Sequence, residues 1–431
     1  MSIAATSAPR VAARSRLWTE PVVARVALGV IGLHVVDDNF FQPEPGTSAI
    51  DHLVSGIVPL ALIVGVAACY GSLRAGLRSA IALVFGFLGV LAGVEAVYYT
   101  ASGGASADDY TGFLSAGAGL LLLGIGGATL WRSRRREDSR PWRYVRRFLL
   151  GAAAVLFAMI VLFPISLAYV VTHTARAEVP RPELGTAFED VEFTTSDGLR
   201  LKGWYIPSRN RAAVISFPGR SGTRRQARML ARHGYGVLLF DRRGEGVSDG
   251  DPNIFGWGGD RDLRAAAAYL RSRGDVDPSR IGAIGLSVGG EMLIHAAAHS
   301  DDFQAIVSEG ASGQSVRDEV ANPGLSDRLL DLPTQMSLSA ALAVFTNEFP
   351  PPSLKSEVAK IAPTPVFFVY GEHGQGGTES APNNAFYAAA REPKQIWEVP
   401  NGQHIAGITT QPEEYERRVI GFFDRHLRVD S

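Results

Sequence analysis

The chain has 431 residues, 46% of them hydrophobic, and a formal net charge of -1. The near-neutral charge gives no support for a nucleic-acid partner. The single cysteine, Cys69, excludes an intrachain disulfide and a cysteine-based metal site. A chain of this length is expected to form two or three domains. Apolar runs with arginine-rich breaks fill residues 21–173, whereas residues 189–431 have the pattern of a soluble globular domain.

The N-terminal part contains four apolar runs long enough to cross a bilayer, which takes about 20 residues. They are Leu53–Tyr70, Ala80–Tyr99, Gly112–Trp131 and Phe148–Val171. A shorter run, Pro21–Val36, has no small-residue cleavage pattern after it. We interpret it as a fifth span rather than an interfacial helix or a signal sequence. Residues 21–173 are thus predicted to form an all-α transmembrane domain of four to five helices, preceded by a cytoplasmic tail, residues 1–20.

Arginine distribution predicts the orientation of these spans. Eight arginines lie between Trp131 and Arg147 and two more in Gly71–Arg78, whereas the other two loops carry no lysine or arginine. Positive loops are retained in the cytoplasm, so the last span is expected to exit on the opposite face. The C-terminal domain is therefore predicted to be extracytoplasmic in a bacterial cell membrane.

Ionisable residues near the predicted outer ends of the spans raise the question of a metal site. His and carboxylate side chains can bind a divalent metal, but their spacing here is not that of a known ligand motif. We therefore interpret them as interfacial residues and predict no metal and no cofactor. The residues are His34, Asp37, Asp38, Asp51, His52 and Glu95.

Strand-like and helix-like segments alternate from residue 189 to the end of the chain, after a predicted linker at residues 174–188. This alternation predicts an α/β fold with a mostly parallel sheet covered by helices on both faces. An Asp197-Gly198 turn predicts a hairpin at its start. An insertion near residues 311–357 contains the mildly apolar LPTQMSLSAALAVF. That segment could line an acyl pocket, touch the membrane surface or pack as an ordinary cap.

Two Gly-x-Ser-x-Gly matches compete for the role of nucleophile, centred on Ser248 and Ser287. Ser287 lies between a predicted strand, IGAIGL, and a predicted helix, GGEMLIHAAA. A strand–turn–helix context is what a nucleophile elbow requires, and the glycines at 285, 289 and 290 leave room for the turn. Ser248 is followed by a loop instead. The context favours Ser287 as nucleophile and a structural role for Ser248.

A serine nucleophile needs a base, and the base needs an acid to orient it. His404 follows the last predicted strand and is the preferred base, with His373 as its rival. The acid is expected between Ser287 and His404, where Glu379 is preferred and Glu372 is the alternative. The backbone N–H groups of Val288 and Arg220 are the predicted oxyanion donors, and the Arg220 side chain is expected to be solvated rather than to bind an anionic substrate group.

The motifs of residues 189–431 together resemble the alpha/beta-hydrolase superfamily, and most closely its bacterial serine esterases and serine-aminopeptidase-like hydrolases. They are DGLRLKGWYIPS, FPGRSG, DRRGEGVSDG, GLSVGGE, PVFFVYGE and GQHIAG. The resemblance implies the same nucleophile, base and oxyanion donors, and a small cap over Ser287. In two places the chain departs from the family. Pro218-Gly219 replaces the usual His-Gly, and Gly374 occupies the usual position of the acid.

A membrane-anchored serine hydrolase acting on a small-molecule or lipid ester is the function these patterns favour. An ester substrate is preferred because the domain is tethered beside the bilayer. Two alternatives remain open, a serine peptidase of the aminopeptidase type and a non-catalytic membrane sensor or scaffold with a ligand-binding hydrolase fold. Fold and triad alone do not specify the substrate.

Overall fold

The computed structural model describes residues 19–103, 107–133, 140–176, 179–220, 222–313, 315–319 and 327–427. Most of the predicted cytoplasmic tail lies outside these residues, as does the middle of the arginine-rich loop after Trp131 and part of the cap insertion. Two compact units divide the chain. One comprises Met1–Pro43 and Ser48–Ser166, and the other Glu44–Thr47 and Leu167–Ser431.

The described residues of the first unit are mainly helical. Their helices are α1 (Glu20–Val36), α2 (Leu53–Cys69), α3 (Ala75–Gly103), α4 (Ala107–Arg132) and α5 (Arg140–Phe157), and a π-helical segment (Ala158–Leu162) joins α5 to α6 (Phe163–Thr172). This segment lies just before Pro164, which has no N–H to complete the α-helical hydrogen-bond pattern. The interruption of the α-helical pattern before Pro164 therefore has a local cause.

Four stretches of these helices are long and apolar enough to cross a membrane: Leu53–Ser72, Ala75–Ala101, Asp109–Arg132 and Pro141–Thr172. Each contains one of the four apolar runs of the sequence. The fifth run coincides with α1, a 17-residue helix, and its role as a span stays a prediction. A further apolar helix of this kind, Leu329–Thr346, belongs to the second unit.

Glycines bring α3 and α4 into close contact, as small residues do between membrane helices. A Cβ at Gly119 would lie 2.6 Å from the Gly86 carbonyl oxygen. At one end of this unit, Thr111 Oγ1 donates to Asp37 Oδ2 at 2.8 Å and lies 3.1 Å from His34 Nδ1. No group of three or more His, Cys, Asp or Glu side chains placed to hold a metal ion occurs among the described residues.

An eight-stranded sheet with the order β1-β2-β4-β3-β5-β6-β7-β8 forms the centre of the second unit. Its strands are β1 (Glu189–Thr194), β2 (Arg200–Ile206), β3 (Ala213–Phe217), β4 (Gly236–Phe240), β5 (Ile281–Leu286), β6 (Ala305–Glu309), β7 (Val366–Gly371) and β8 (Lys394–Val399). The β1–β2 hairpin is antiparallel and turns at Asp197-Gly198 as predicted, β2 pairs antiparallel with β4, and the remaining pairs are parallel. The predicted α/β fold is confirmed.

Helices cover both faces of the sheet and bury two apolar clusters against it. One face carries α8 (Asp260–Arg271), α9 (Val288–Ala298) and α13 (Ser380–Ala389); the other carries α7 (Arg224–Arg232) and α15 (Pro412–Leu427). The insertion between β6 and β7 contains α10 (Val316–Glu319), a π-helical segment (Asp327–Asp331), α11 (Leu332–Thr346) and α12 (Leu354–Glu357), and α14 (Gly407–Thr410) precedes α15.

The boundary of the second unit differs from the predicted linker at residues 174–188. The unit already begins at Leu167. Arg176 Nε donates to Glu44 Oε2 at 3.1 Å, and its guanidinium also binds the carbonyl oxygens of Ser248 and Gly250. Leu184 is buried in the α7/α15 cluster. The described part of the segment is therefore packed on the second unit, because its side chains find partners far along the chain.

Candidate active site

Ser287 occupies a sharp turn between the last residue of β5 and the first residue of α9. Its backbone has φ 52° and ψ -125°, a region that is strained for a residue with a side chain. Neighbouring glycines make the turn possible. A Cβ at Gly285 would lie 2.4 Å from the Gly289 carbonyl oxygen, and one at Gly289 would lie 2.6 Å from Pro218 Cδ. The elbow predicted from the sequence is thus present in the backbone.

His404 lies on the loop after β8, and its Nε2 is 2.9 Å from Ser287 Oγ. This is hydrogen-bond distance for a base acting on a hydroxyl. The rival His373 is exposed and donates its backbone N–H to the Gly402 carbonyl. Of the two candidate bases, the structure brings only His404 to the serine.

Glu379 supplies the carboxylate on the other side of His404. Its Oε1 hydrogen-bonds His404 Nδ1, and its Oε2 accepts the Gly371 N–H at 3.1 Å. The side chain is completely buried. Glu372, the alternative acid, is exposed and accepts the Asn401 N–H at 2.7 Å instead. The structure therefore places Glu379, and not Glu372, in line with His404 and Ser287.

Gly374 explains why the acid is absent from its usual position. A Cβ at Gly374 would lie 2.2 Å from Glu379 Cδ. The Glu379 carboxyl group, carried by the residue before α13, thus fills the space that a side chain at position 374 would need.

The hydrogen bond that His404 donates to the Glu379 carboxylate raises the pKa of His404, and burial of the ring only partly offsets this rise. A carboxylate beside an imidazole favours its charged form. His404 is therefore a stronger base than an isolated histidine, and its protonated form is stabilised as it takes up a proton.

The two predicted oxyanion donors differ in the position of their backbone N–H groups and in the hydrogen bonds that these groups make. Val288 opens α9, where the first backbone N–H groups have no acceptor within the helix. The Arg220 N–H, in contrast, donates to Asp241 Oδ1 at 3.2 Å. The Arg220 amide is thus engaged by a carboxylate in this structure, and its role as an oxyanion donor stays a prediction.

The Arg220 side chain also differs from the prediction of a solvated arginine. It is buried, with Nε 2.8 Å and Nη2 2.7 Å from Asp241 Oδ2, and it lies over the Trp204 ring at 4.6 Å. A buried guanidinium that contacts one carboxylate oxygen through two nitrogens and lies on an aromatic face is a structural ion pair. It joins the loop after β3 to the end of β4.

Ser248 has the structural role that the sequence indicates. Its hydroxyl donates to the Asp241 carbonyl at 2.6 Å and accepts the Lys202 N–H at 2.9 Å, and the residue is completely buried. Both hydrogen-bonding functions of the hydroxyl are used to hold the loop after β4 against β2.

Glu309, at the end of β6, was not identified from the sequence. Its carbonyl accepts the Ser287 N–H at 2.8 Å, while Oε1 accepts the Gly407 N–H at 2.9 Å and Oε2 the Tyr415 hydroxyl at 2.7 Å. One residue thus links the nucleophile elbow to the chain just after His404. Burial raises the pKa of its carboxyl group. The sequence signal was a glutamate at the end of a short strand, AIVSE, in which Ser308 is the only other polar residue.

Comparison with known proteins gives the family. Residues 172–356 match the family described as X-Pro dipeptidyl-peptidase (S15 family). The uncharacterized protein Rv2307c of Mycobacterium tuberculosis (strain ATCC 25618 / H37Rv) is 30% identical over 244 residues, which cover 54% of this chain and 76% of that protein. The chain belongs to the alpha/beta-hydrolase superfamily.

Other relatives of this alpha/beta hydrolase include the uncharacterized protein YfhR of Escherichia coli (strain K12), 28% identical over 251 residues that cover 54% of this chain and 80% of that protein. Among solved structures, the alpha/beta hydrolase GrgF from Penicillium sp. sh18 has a TM-score of 0.46 and 24% identity, covering 56% of this chain and 99% of that one. The Pyrococcus furiosus esterase Pf2001 has a TM-score of 0.46 and 22% identity, covering 59% and 99%.

Proposed function

We propose that this alpha/beta hydrolase is a membrane-anchored serine hydrolase that cleaves an ester or acyl bond through an acyl-enzyme on Ser287. The observation that carries the proposal is the hydrogen-bonded line from Ser287 Oγ, through both ring nitrogens of His404, to the buried Glu379. Nucleophile, base and orienting carboxylate in this order form the arrangement used for acyl transfer on several unrelated folds.

Each group of the line has one task in the proposed reaction. Ser287 Oγ attacks the carbonyl carbon while His404 Nε2 takes its proton. Glu379 orients the ring and stabilises the imidazolium, and the Val288 N–H faces the developing oxyanion. His404 then returns the proton to the leaving group, leaving an ester between Ser287 and the acyl group. Water, activated by the same histidine, hydrolyses that ester and frees the acid.

An ester carried by a lipid or an envelope component is the preferred substrate. The apolar stretch Pro141–Thr172 ends only a short segment before β1, which supports tethering of the catalytic domain at a membrane. One observation favours a peptidase instead, namely the match to the S15 family of X-Pro dipeptidyl-peptidases. An X-Pro peptide bond is therefore the competing substrate class.

Labelling with a fluorophosphonate tests the nucleophile. The full chain should be labelled, Ser287→Ala should abolish labelling, and the matched change Ser248→Ala should leave it intact, because the Ser248 hydroxyl is buried and already hydrogen-bonded. Labelling that persists in Ser287→Ala would exclude Ser287. A panel of acyl esters and of aminoacyl and X-Pro amides, hydrolysed by the same preparation, then separates esterase from peptidase.

A further inference from the structure

The cap insertion carries a helical stretch, Leu329–Thr346, whose composition differs from that of α15, the other helix of similar length in its unit. Its 18 residues contain one charged side chain, Asp331, and are apolar enough to cross a membrane. The 16 residues of α15, in contrast, carry seven charged side chains. A helix that faces water normally carries charged and polar residues on that side, so the composition of this stretch calls for another environment.

One face of α11 is covered within the unit. Leu338, Leu342 and Phe345, spaced as one helical face, pack in a cluster with Trp257 and with Ala168. The rest of the cluster is Val171, Phe255, Ala341 and Ala343. We call this group the cap cluster.

The cap cluster includes the end of the last candidate span. Ala168 is completely buried in it, and the Tyr169 ring meets the Phe345 ring edge-on at 5.7 Å. About 20 helical residues cross the hydrocarbon core of a bilayer. A span that enters the core at Phe148 therefore leaves it near residue 168. Tyr169 and the stacked His173, 4.1 Å apart, then lie at the depth of the headgroups, where such amphipathic rings are enriched.

The opposite side of the stretch is exposed. Leu329 is 60% and Met336 58% accessible, and Phe349, three residues after α11, is 91% accessible. Met336 and the exposed Ala340 are one turn apart and share this face. Apolar side chains grouped on a surface beside a membrane helix are typical of an interaction site.

The cap cluster also borders the proposed active site. Trp257, in its centre, follows Gly256, and a Cβ at Gly256 would lie 3.0 Å from Val288 Cγ2. Val288 directly follows the proposed nucleophile. A single loop thus separates the covered face of α11 from the residue that opens α9.

We propose that the exposed face of Leu329–Thr346, together with Phe349, docks on the lipid bilayer, with its side chains among the upper parts of the acyl chains. This inference rests on the membrane anchoring in the proposed function. The end of the span packs on one face of α11 and thereby sets the depth at which this helix lies. The opposite face is apolar and is more stable in contact with lipid than with water. Because the stretch contains no lysine or arginine, docking requires no anionic headgroup.

Depth-dependent fluorescence quenching tests the docking. The full chain, with Cys69→Ser to remove its only native thiol, is reconstituted in phosphatidylcholine vesicles. Met336→Cys carries a bimane label, and Phe349→Cys is a second position should the first variant fold poorly. Ser272→Cys is the control, since Ser272 is exposed directly after α8. It precedes the start of β5 in the chain, whereas Ser287 follows the end of that strand. Phospholipid with a doxyl group high on its acyl chain is the quencher.

Quenching several-fold stronger at Met336 and Phe349 than at Ser272, and unchanged by high salt, is the expected result. Equal quenching at all three positions would overturn the proposal. Efficient disulfide crosslinking of unlabelled Met336→Cys between chains would also overturn it, because a second copy would then cover the face. Fluorophosphonate labelling and vesicle flotation of the same samples report on the Ser287 mechanism and on the anchoring separately, so their failure is distinguished from failure of the docking.

Discussion

Burial separates the two candidate acids, which are only seven residues apart. Glu379 is enclosed, holds His404 through one oxygen and receives a backbone N–H on the other. Glu372 lies in the solvent and caps a turn. Fixed hydrogen bonds on both oxygens hold the Glu379 carboxyl group in the position from which it orients the imidazole.

Glu379→Gln should lower kcat by about 10⁴-fold, the cost of the corresponding change in the best-studied triad. It should also move the acidic limb of the kcat/KM–pH profile to lower pH. His404 must be neutral to accept the proton, and its raised pKa comes first from Glu379. Removing that charge lets the ring lose its proton at a lower pH.

Glu372→Gln is the matched control for this pair and should leave both the rate and the acidic limb near those of the unaltered chain. Steady-state kinetics with a soluble ester between pH 5 and 9 measures both quantities, since this range spans the ordinary histidine pKa of about 6.5. Full activity of Glu379→Gln alongside loss in Glu372→Gln would reverse the assignment of the acid.

Ser287, His404 and Ser248 could be interpreted from the sequence because strand, turn and helix signals surround them locally. Arg220 and Glu309 could not. The carboxylate that binds Arg220 belongs to Asp241, directly after β4, and the partners of Glu309 lie about 100 residues away in Gly407 and Tyr415. Such contacts arise only when the strands pair, and no local pattern records them.

At the scale of elements, the loop between β7 and α13 supplies the carboxylate that orients His404. The residue before the helix carries the carboxylate back to His404, and Gly374 makes room for it. The order of strands and helices could be predicted from the periodicity of the sequence. The position of the acid could not, because it depends on the contact between Gly374 and the buried Glu379. The packing of Leu184 against α7 and α15 likewise depends on tertiary contacts, which no local pattern of the sequence records.

Gly374→Ala should reduce kcat by up to about 10²-fold, because the added methyl group would displace the Glu379 carboxyl group and hence His404. Gln375→Ala is the control, since Gln375 is the exposed next residue of the same loop. Combining Gly374→Ala with Glu379→Asp removes one methylene and should recover part of the loss. Burst kinetics with a chromogenic ester measures the acylation step. An unchanged acylation rate in Gly374→Ala would show that the Glu379 carboxyl group keeps its position despite the added methyl group.

For the whole molecule, the arginine distribution predicts that the hydrolase unit lies outside the cytoplasm. A non-specific protease added to intact spheroplasts should cut the exposed residues 185–187 and release a soluble domain. The control is a tag in the arginine-rich loop after Trp131, which should be cut only after lysis. Cleavage at 185–187 that requires lysis would instead place the active site in the cytoplasm and exclude envelope substrates.

The link made by Glu309 has a consequence for how such enzymes diversify. Ser287, His404 and Glu379 are held to one another, to Glu309 and to the Gly371 N–H, and among the described residues none of these hydrogen bonds comes from α10, α11 or α12. The chain between Ala311 and Ser353 can therefore be exchanged during evolution, or by grafting, without resetting the reactive geometry. Substrate range and membrane contact are free to change while the chemistry is inherited.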